Sequence, residues 1–237
     1  MTAADPGAAD DAPDTPETIA CRDIRFPLDR GLLTPRLRTL LRSDGFEAKE
    51  ADAALRLVKR GDVVMELGGG LGFLSTLLAL KTRAKAVHSY EPNLALVRYA
   101  REVHALNRAD KAQMHHGVLG DAPGEATFYL RDDPLTSSLF ADHGPGEVLP
   151  LRTPVLSAEA EIARLSPTIL ICDIEGAEAD LLPKLDLSGL RGVLVELHPR
   201  WIGAAGVAGI FARMHAAGLV FFPRLSQGKV AVFKRGW

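Results

Sequence analysis

Three carboxylates fall within six residues in Asp173-Ile174-Glu175-Gly176-Ala177-Glu178, directly after the apolar run Thr168 to Cys172. His198 follows a second apolar run, Gly192 to Leu197. A carboxylate at a strand end can take the proton from a hydroxyl. A group of them can instead hold an oxygen-seeking divalent ion, Mg²⁺ or Ca²⁺ rather than zinc, that makes the hydroxyl more acidic. Asp173 is expected nearest the reacting atoms, with Asp173 and Glu175 as candidate base or metal ligands. His198 is the further catalytic candidate, because a neutral imidazole accepts a proton near pH 7; a hydrogen-bonded structural histidine is its other reading. The cluster has a plainer reading too, in which Glu178 faces solvent, Glu175 caps the next helix and only Asp173 touches ligand. The other histidines, at 88, 104, 115, 116, 143 and 215, show no metal-ligand spacing.

A second constellation lies upstream, where the apolar run Val63 to Leu67 carries Glu66 and runs into Gly68, Gly69, Gly70 and Gly72 ahead of Phe73. Glycine tolerates positive φ and lets main-chain N–H groups approach a ligand that a Cβ would hold off. The spacing Gly68-x-Gly70-x-Gly72 departs from the dinucleotide fingerprint, whose third glycine comes three residues after the second. Glu66 would repel a phosphate, yet it can meet the cationic end of an amino-acid-like cofactor, directly or through water. One strand later, Ala86 to Tyr90 leads into Glu91-Pro92-Asn93, and a carboxylate there can grip a ribose diol. For Glu91 the other reading is a surface carboxylate favoured by a helix dipole. S-adenosylmethionine, a sulfonium with an amino-acid tail and no phosphate, fits this polarity. Its expected binding set is Glu66, Gly68, Gly69, Gly70, Gly72 and Phe73, then Glu91, Pro92 and Asn93, with Gly117 and Val118 beside the adenine and Asp173 reaching the same cavity.

These residues need a scaffold. Alternating elements supply it: strand Asp62 to Leu67, helix Gly72 to Leu80, strand Ala86 to Tyr90 and helix Leu94 to Leu106, the pattern of right-handed βαβ crossovers and a parallel sheet. A third strand is expected over Ala112 to Leu119, an added strand over Glu125 to Leu130, and further core strands over Thr168 to Cys172 and Gly192 to Leu197. A helix over Val207 to Ala217 precedes a closing antiparallel pair, Leu219 to Phe222 with Lys229 to Phe233. Ahead of the first core strand, Ala51, Ala54, Leu55 and Val58 give Glu47 to Arg60 a helical stripe that Gly61 ends. Ile24 to Leu28 reads as a short strand, and Pro35 to Arg42 as a helix covering the cofactor or lining the substrate entrance. Asp132 to Leu149, rich in Pro, Gly, Ser and Asp, is a long loop expected near the substrate.

The 237 residues, 47% hydrophobic, are enough for one domain of ordinary size. Residues 1–20 are expected as a disordered tail, 21–60 as a helical cap segment and 61–237 as the cofactor-binding domain. With 28 basic and 30 acidic residues and no Lys/Arg run, nucleic acid is a poor partner. No stretch reaches the roughly 18 apolar residues of a membrane span, and the first 19 residues lack a signal peptide's apolar centre. Cys21 and Cys172 lack metal-ligand spacing, which suits free thiols in a reducing cytoplasm. An apolar stripe on the sheet edge would permit a homodimer.

Six blocks together carry a family likeness: Phe46-Glu47 with Glu50; Glu66 to Gly72; Tyr90 to Asn93; Ser137-Ser138-Leu139; Asp173 to Glu178; and Glu196-Leu197-His198-Pro199. From Phe46 to the C-terminus the chain resembles the FkbM family of S-adenosylmethionine-dependent methyltransferases. Glycine-rich turns recur in all class I methyltransferases, whereas Asp-x-Glu-Gly-x-Glu after the fourth strand is more particular to this family. The resemblance implies a Rossmann-like class I fold, a seven-stranded, mostly parallel sheet with helices on both faces. It also implies O-methylation of a small molecule, a sugar or natural-product hydroxyl. The tail and the region before Phe46 have no counterpart in the family. N-methylation of an amine or peptide, a non-catalytic cofactor-binding module and a nicotinamide oxidoreductase are the competing readings.

Overall fold

The computed structural model describes residues 17–144 and 146–236. Its frame is a seven-stranded sheet of β3 (Val63–Leu67), β4 (Ala86–Glu91), β5 (Ala112–His116), β9 (Ile169–Cys172), β10 (Gly192–Glu196), β11 (Val220–Phe221) and β12 (Val230–Lys234). The order across it is β11-β12-β10-β9-β3-β4-β5. β5, β4, β3, β9 and β10 pair in parallel, while β12 runs antiparallel between β10 and β11. The order reverses between β3 and β9, which makes the crevice beyond their carboxyl ends the natural ligand site.

Alternate residues of the central strands serve two cores, as a sheet covered on both faces requires. Val64, Ile169, Ile171 and Leu194 face one cluster. It is filled by α2 (Ala48–Leu57), α3 (Phe73–Lys81) and part of α4 (Leu94–Asn107). Met65, Leu170, Cys172, Val193 and Val195 face the other, with residues of α5 (Ala158–Leu165) and α7 (Pro199–Ala216). At the end of the sheet away from the crevice, Asp62 accepts from Thr168 Oγ1 and Arg191 Nε, both at 2.8 Å, pinning the starts of β3, β9 and β10 together.

Several elements differ from expectation. The stretch expected as tail reaches order earlier than residue 20: Thr18–Cys21 forms β1, which pairs antiparallel with β2 (Ile24–Pro27) through a turn at Arg22 and Asp23. Residues 1–16, the rest of that expected tail, lie outside the described residues. α1 (Pro35–Arg42) buries Leu37 and Leu41 in the first core, and no residue of it lines the cavity at the carboxyl ends of the strands. The expected strand Ala112 to Leu119 breaks at Gly117, whose φ of 137° turns the chain out of the main sheet. β6 (Val118–Gly120) joins β7 (Gly124–Leu130) and β8 (Leu149–Ser157) in a separate three-stranded sheet.

β8 and α5 escaped the sequence reading. Pro150 and Pro154 disguise β8; β6 pairs only with Val155 to Ser157, so both prolines sit where β8 has a partner on one side only. The start of α5 did carry a signal. Ser157 caps it, accepting from Ala160 N at 3.3 Å, and Glu159 and Glu161 occupy its first turn. α7 begins eight residues before the expected Val207, interrupted at Gly203.

Candidate active site

The glycine turn after β3 is held by the ends of its neighbours. Gly68 N and Gly69 N both donate to Tyr90 O at 3.0 Å, and Gly117 N donates to Glu91 O at 2.9 Å, so the ends of β3, β4 and β5 form one rim. Gly68, at φ 87°, passes so close to β9 that a Cβ would stand 1.7 Å from Asp173 O. Here only glycine fits. Gly70, Glu91, Pro92, Gly117 and Val118 join Gly68 on the wall of a cavity of about 370 Å³. Glu91 is the last residue of β4, buried, with Oε2 accepting from Gly70 N at 3.0 Å and Oε1 from Asn93 N at 2.8 Å. Burial pushes its carboxyl up to about 7, against the pull of those two N–H donors.

The remaining expected cofactor residues stand behind the wall. Glu66 is buried and accepts from Ser89 Oγ; burial, with the nearby Glu91 charge, takes its pKa to about 8 in spite of that hydrogen bond. Gly69 and Gly72 are spaced by packing, since added Cβ atoms would meet Met114 Cε at 2.6 Å and Ala100 Cβ at 2.7 Å. Asn93 caps α4 through Ala95 N. Phe73 lies in the first core against Phe26 and Phe46.

Next to the glycine rim, Asp173, Glu175 and Glu196 line the same cavity, joined by Glu47 from the start of α2. The plainer reading of the Asp173 to Glu178 cluster fails here. Glu178 is fully buried rather than solvent-facing, with Oε2 accepting from Gly176 N at 2.8 Å and Oε1 from His198 N at 3.0 Å. Glu175 does not cap a helix; it sits at φ 50° with its carboxylate on the cavity wall. Its strained backbone is held by its own carbonyl, which accepts from Ser138 Oγ at 3.0 Å and lies 3.2 Å from His143 Nδ1.

His198 is buried behind these carboxylates, off the cavity wall. Burial alone would lower its pKa, but the Glu178 hydrogen bond and the charges of Glu175, Glu178 and Glu196 raise it on balance. The imidazole base expected from sequence does not reach the cavity wall; its Nε2 stands 3.4 Å from Glu175 Oε2 and 3.7 Å from Asp173 Oδ1. Burial also lifts Asp173 and Glu47 well above the usual carboxylate range; Glu196 adds to both, by charge and a hydrogen bond at Asp173, and Glu66 adds at Glu47. Such a carboxylate is a stronger base than one in water, closer to what proton abstraction near neutral pH needs.

The loop from Asp132 to Leu149 reaches the cavity through Pro134, Ser137, Leu139 and Phe140. Arg131 braces it, donating to the carbonyls of Thr136, Phe140 and Ala141. Within it His143 stacks on Trp201 at 4.8 Å and meets the Phe140 ring at 4.4 Å with a tilt of 31°. Sequence reasoning gave no role to Phe46, Glu47 or Glu196, although all three stood in the blocks that carried the family likeness. Those blocks were the signal that could have placed them.

The strand order and the cavity at the strand ends are those of the Rossmann-like class I methyltransferase fold. No protein-family model and no curated protein matches the chain. Solved structures do. The putative transferase PH0793 from Pyrococcus horikoshii is similar with a TM-score of 0.50 and 12% identity, over 92% of this chain and 71% of that one. Trm5b from Pyrococcus abyssi gives 0.48 and 16%, over 93% of this chain and 55% of that one, so this chain spans about half that protein's length. M. jannaschii TYW2, in complex with AdoMet, gives 0.47 and 12%, over 92% and 86%.

Proposed function

We propose that this chain is an S-adenosylmethionine-dependent methyltransferase of the FkbM kind, acting in the cytoplasm on a hydroxyl of a small molecule such as a sugar or natural product. One observation carries the reading: a glycine rim with a buried ribose-type carboxylate and a set of acidic side chains line one cavity. The residues suit the cofactor. Gly68 and Gly70 would leave room for its methionine end, Glu91 would meet the ribose diol, Gly117 and Val118 would flank the adenine, and Glu66 would offer a buried carboxyl behind the turn. When bound, the cofactor supplies a methyl group made electrophilic by a sulfonium.

The chain's own work is then positioning and proton removal. Asp173 or Glu175 accepts the proton of the acceptor hydroxyl and holds its oxygen toward the methyl carbon. Phe140 and Leu139 add apolar lining to the cavity from the loop. The acidic wall of Glu47, Asp173, Glu175 and Glu196 would repel a phosphate backbone, which favours a small acceptor over nucleic acid. The same wall could hold an ammonium, so N-methylation of an amine is the second reading. Both cysteines are free and buried, in keeping with a reducing compartment. No helix among the described residues is long and apolar enough to cross a membrane.

Calorimetry with S-adenosylhomocysteine and NAD side by side tests the proposal. Binding of the first and not the second is expected; binding of NAD alone overturns it. Acceptor screening with paired alcohols and amines then separates the two methyl acceptors.

A further inference from the structure

His198 is oriented in a way proton abstraction does not require. Its ring is only 4% exposed, and Nδ1 lies 2.8 Å from Glu178 Oε1. Glu178 is itself locked by the N–H groups of Gly176 and His198. A carboxylate fixed on one imidazole nitrogen sets the tautomer and turns the other nitrogen to a ligand, the usual support of a metal-binding histidine. The other nitrogen, Nε2, faces Glu175 Oε2 at 3.4 Å and Asp173 Oδ1 at 3.7 Å, both longer than a hydrogen bond to a charged partner takes. Asp173 Oδ1 is buried and has no hydrogen-bond partner.

Donor atoms of Asp173, Glu196 and His198 all lie within 4.8 Å of one another. Ligands about 2.1 Å from one octahedral ion stand about 3 Å apart when adjacent and about 4.2 Å when opposite, so small side-chain adjustments close such a shell. One imidazole with two carboxylates, and Glu175 alongside, is a mixed oxygen-rich set that suits Mn²⁺ or Mg²⁺ better than an all-sulfur or all-histidine metal. Asp173, Glu175 and Glu196 also line the cavity, so the far side of an ion held there would be open to a ligand.

We propose that Asp173, Glu196 and His198 bind one divalent cation of the Mg²⁺/Mn²⁺ type, oriented through Glu178, and that this cation receives the acceptor hydroxyl. The inference rests on the methyltransferase reading and gives it an acceptor class, an alcohol. A hydroxyl that replaces one water of the cation is more acidic. Its proton passes to Glu175 as the oxygen forms its bond to the methyl carbon, and the carbon–sulfur bond breaks to leave the neutral thioether.

The test uses the whole protein, stripped with EDTA and titrated with Mn²⁺ alone, following loss of the free Mn²⁺ electron paramagnetic resonance signal. One saturable site is expected. Glu196→Gln should abolish it, while Glu178→Gln, which alters the carboxylate that holds His198 and Gly176, should weaken it about 10- to 100-fold. S-adenosylhomocysteine calorimetry on the same samples keeps the two readings apart. Retained S-adenosylhomocysteine binding without a Mn²⁺ site, or with a site that Glu196→Gln leaves intact, overturns the cation proposal and leaves the methyltransferase reading standing. Loss of S-adenosylhomocysteine binding by the unaltered protein would instead sink the methyltransferase reading.

Discussion

Glu66 gives the sharpest quantitative test, because a carboxyl buried in the central sheet must write its ionisation into the stability of the fold. Its pKa stands at about 8 against an ordinary 4.5, raised first by burial. The folded chain therefore keeps a proton between pH 4.5 and about 8 that the unfolded chain has released. Stability contributed by the neutral carboxyl is complete below pH 4.5 and lost as pH climbs through that window. At 1.36 kcal/mol per tenfold change in proton affinity, the full span is about 5 kcal/mol, and about 4 kcal/mol of it falls between pH 5 and pH 9. Glu66→Gln keeps an acceptor for Ser89 Oγ and removes the ionisation. Urea unfolding of both proteins at pH 5, 7 and 9 should show the variant gaining on the parent by about 4 kcal/mol across the series, the other titrating groups being common to both. Parallel curves would mean that Glu66 is charged in the folded protein, and the account of its burial would be wrong.

The same neutral Glu66 predicts that S-adenosylhomocysteine, whose amino group is cationic, releases a proton on binding at pH 7; calorimetry in buffers of unlike ionisation enthalpy measures it, and Glu66→Gln should abolish it. Gly68→Ala would place a Cβ 1.7 Å from Asp173 O, and the forced shift of the turn should weaken S-adenosylhomocysteine roughly 10- to 100-fold. Glu91→Ala removes the proposed ribose partner and frees Gly70 N, with an expected loss of about 2 kcal/mol in the same assay. Arg131→Gln should loosen the loop it braces, raising the acceptor KM and the rate of proteolytic cleavage within residues 132–144 while S-adenosylhomocysteine affinity holds.

The parallel core was legible because its strands and helices carry opposite periodicities and end in glycine or in capping residues such as Asn93. What failed was of two kinds. β8 was hidden by Pro150 and Pro154, which local propensity reads as breakers and which the missing partner strand tolerates. Gly117 sits within an apolar stretch, and nothing local says that its φ of 137° will split one expected strand between two sheets. At the site, motif position located the wall residues Gly68, Gly70, Glu91 and Asp173, but it could not separate them from neighbours one residue away. A strand turns alternate side chains to opposite faces, so Glu66 stands behind the rim that its own motif builds. Glu47 and Glu196 belong to elements about 150 residues apart in sequence, and only the sheet order brings both to one cavity.

That convergence has a chemical consequence. Glu47, Asp173, Glu175 and Glu196 crowd one wall of a small cavity, and crowding of like charges in a place of low polarisability holds protons in or draws cations in. That wall accordingly suits a proton, a sulfonium or ammonium, or a metal ion. Glu178 and His198 decide between these on the buried side, because a fixed Nδ1 leaves Nε2 no choice of direction. Glu178→Gln is thus the substitution that separates geometry from charge: it preserves size and leaves Glu47, Asp173, Glu175 and Glu196 in place, yet weakens the hold on His198. Should it change Mn²⁺ affinity without shifting S-adenosylhomocysteine affinity, the acidic wall and the glycine rim are two independently supported halves of one site.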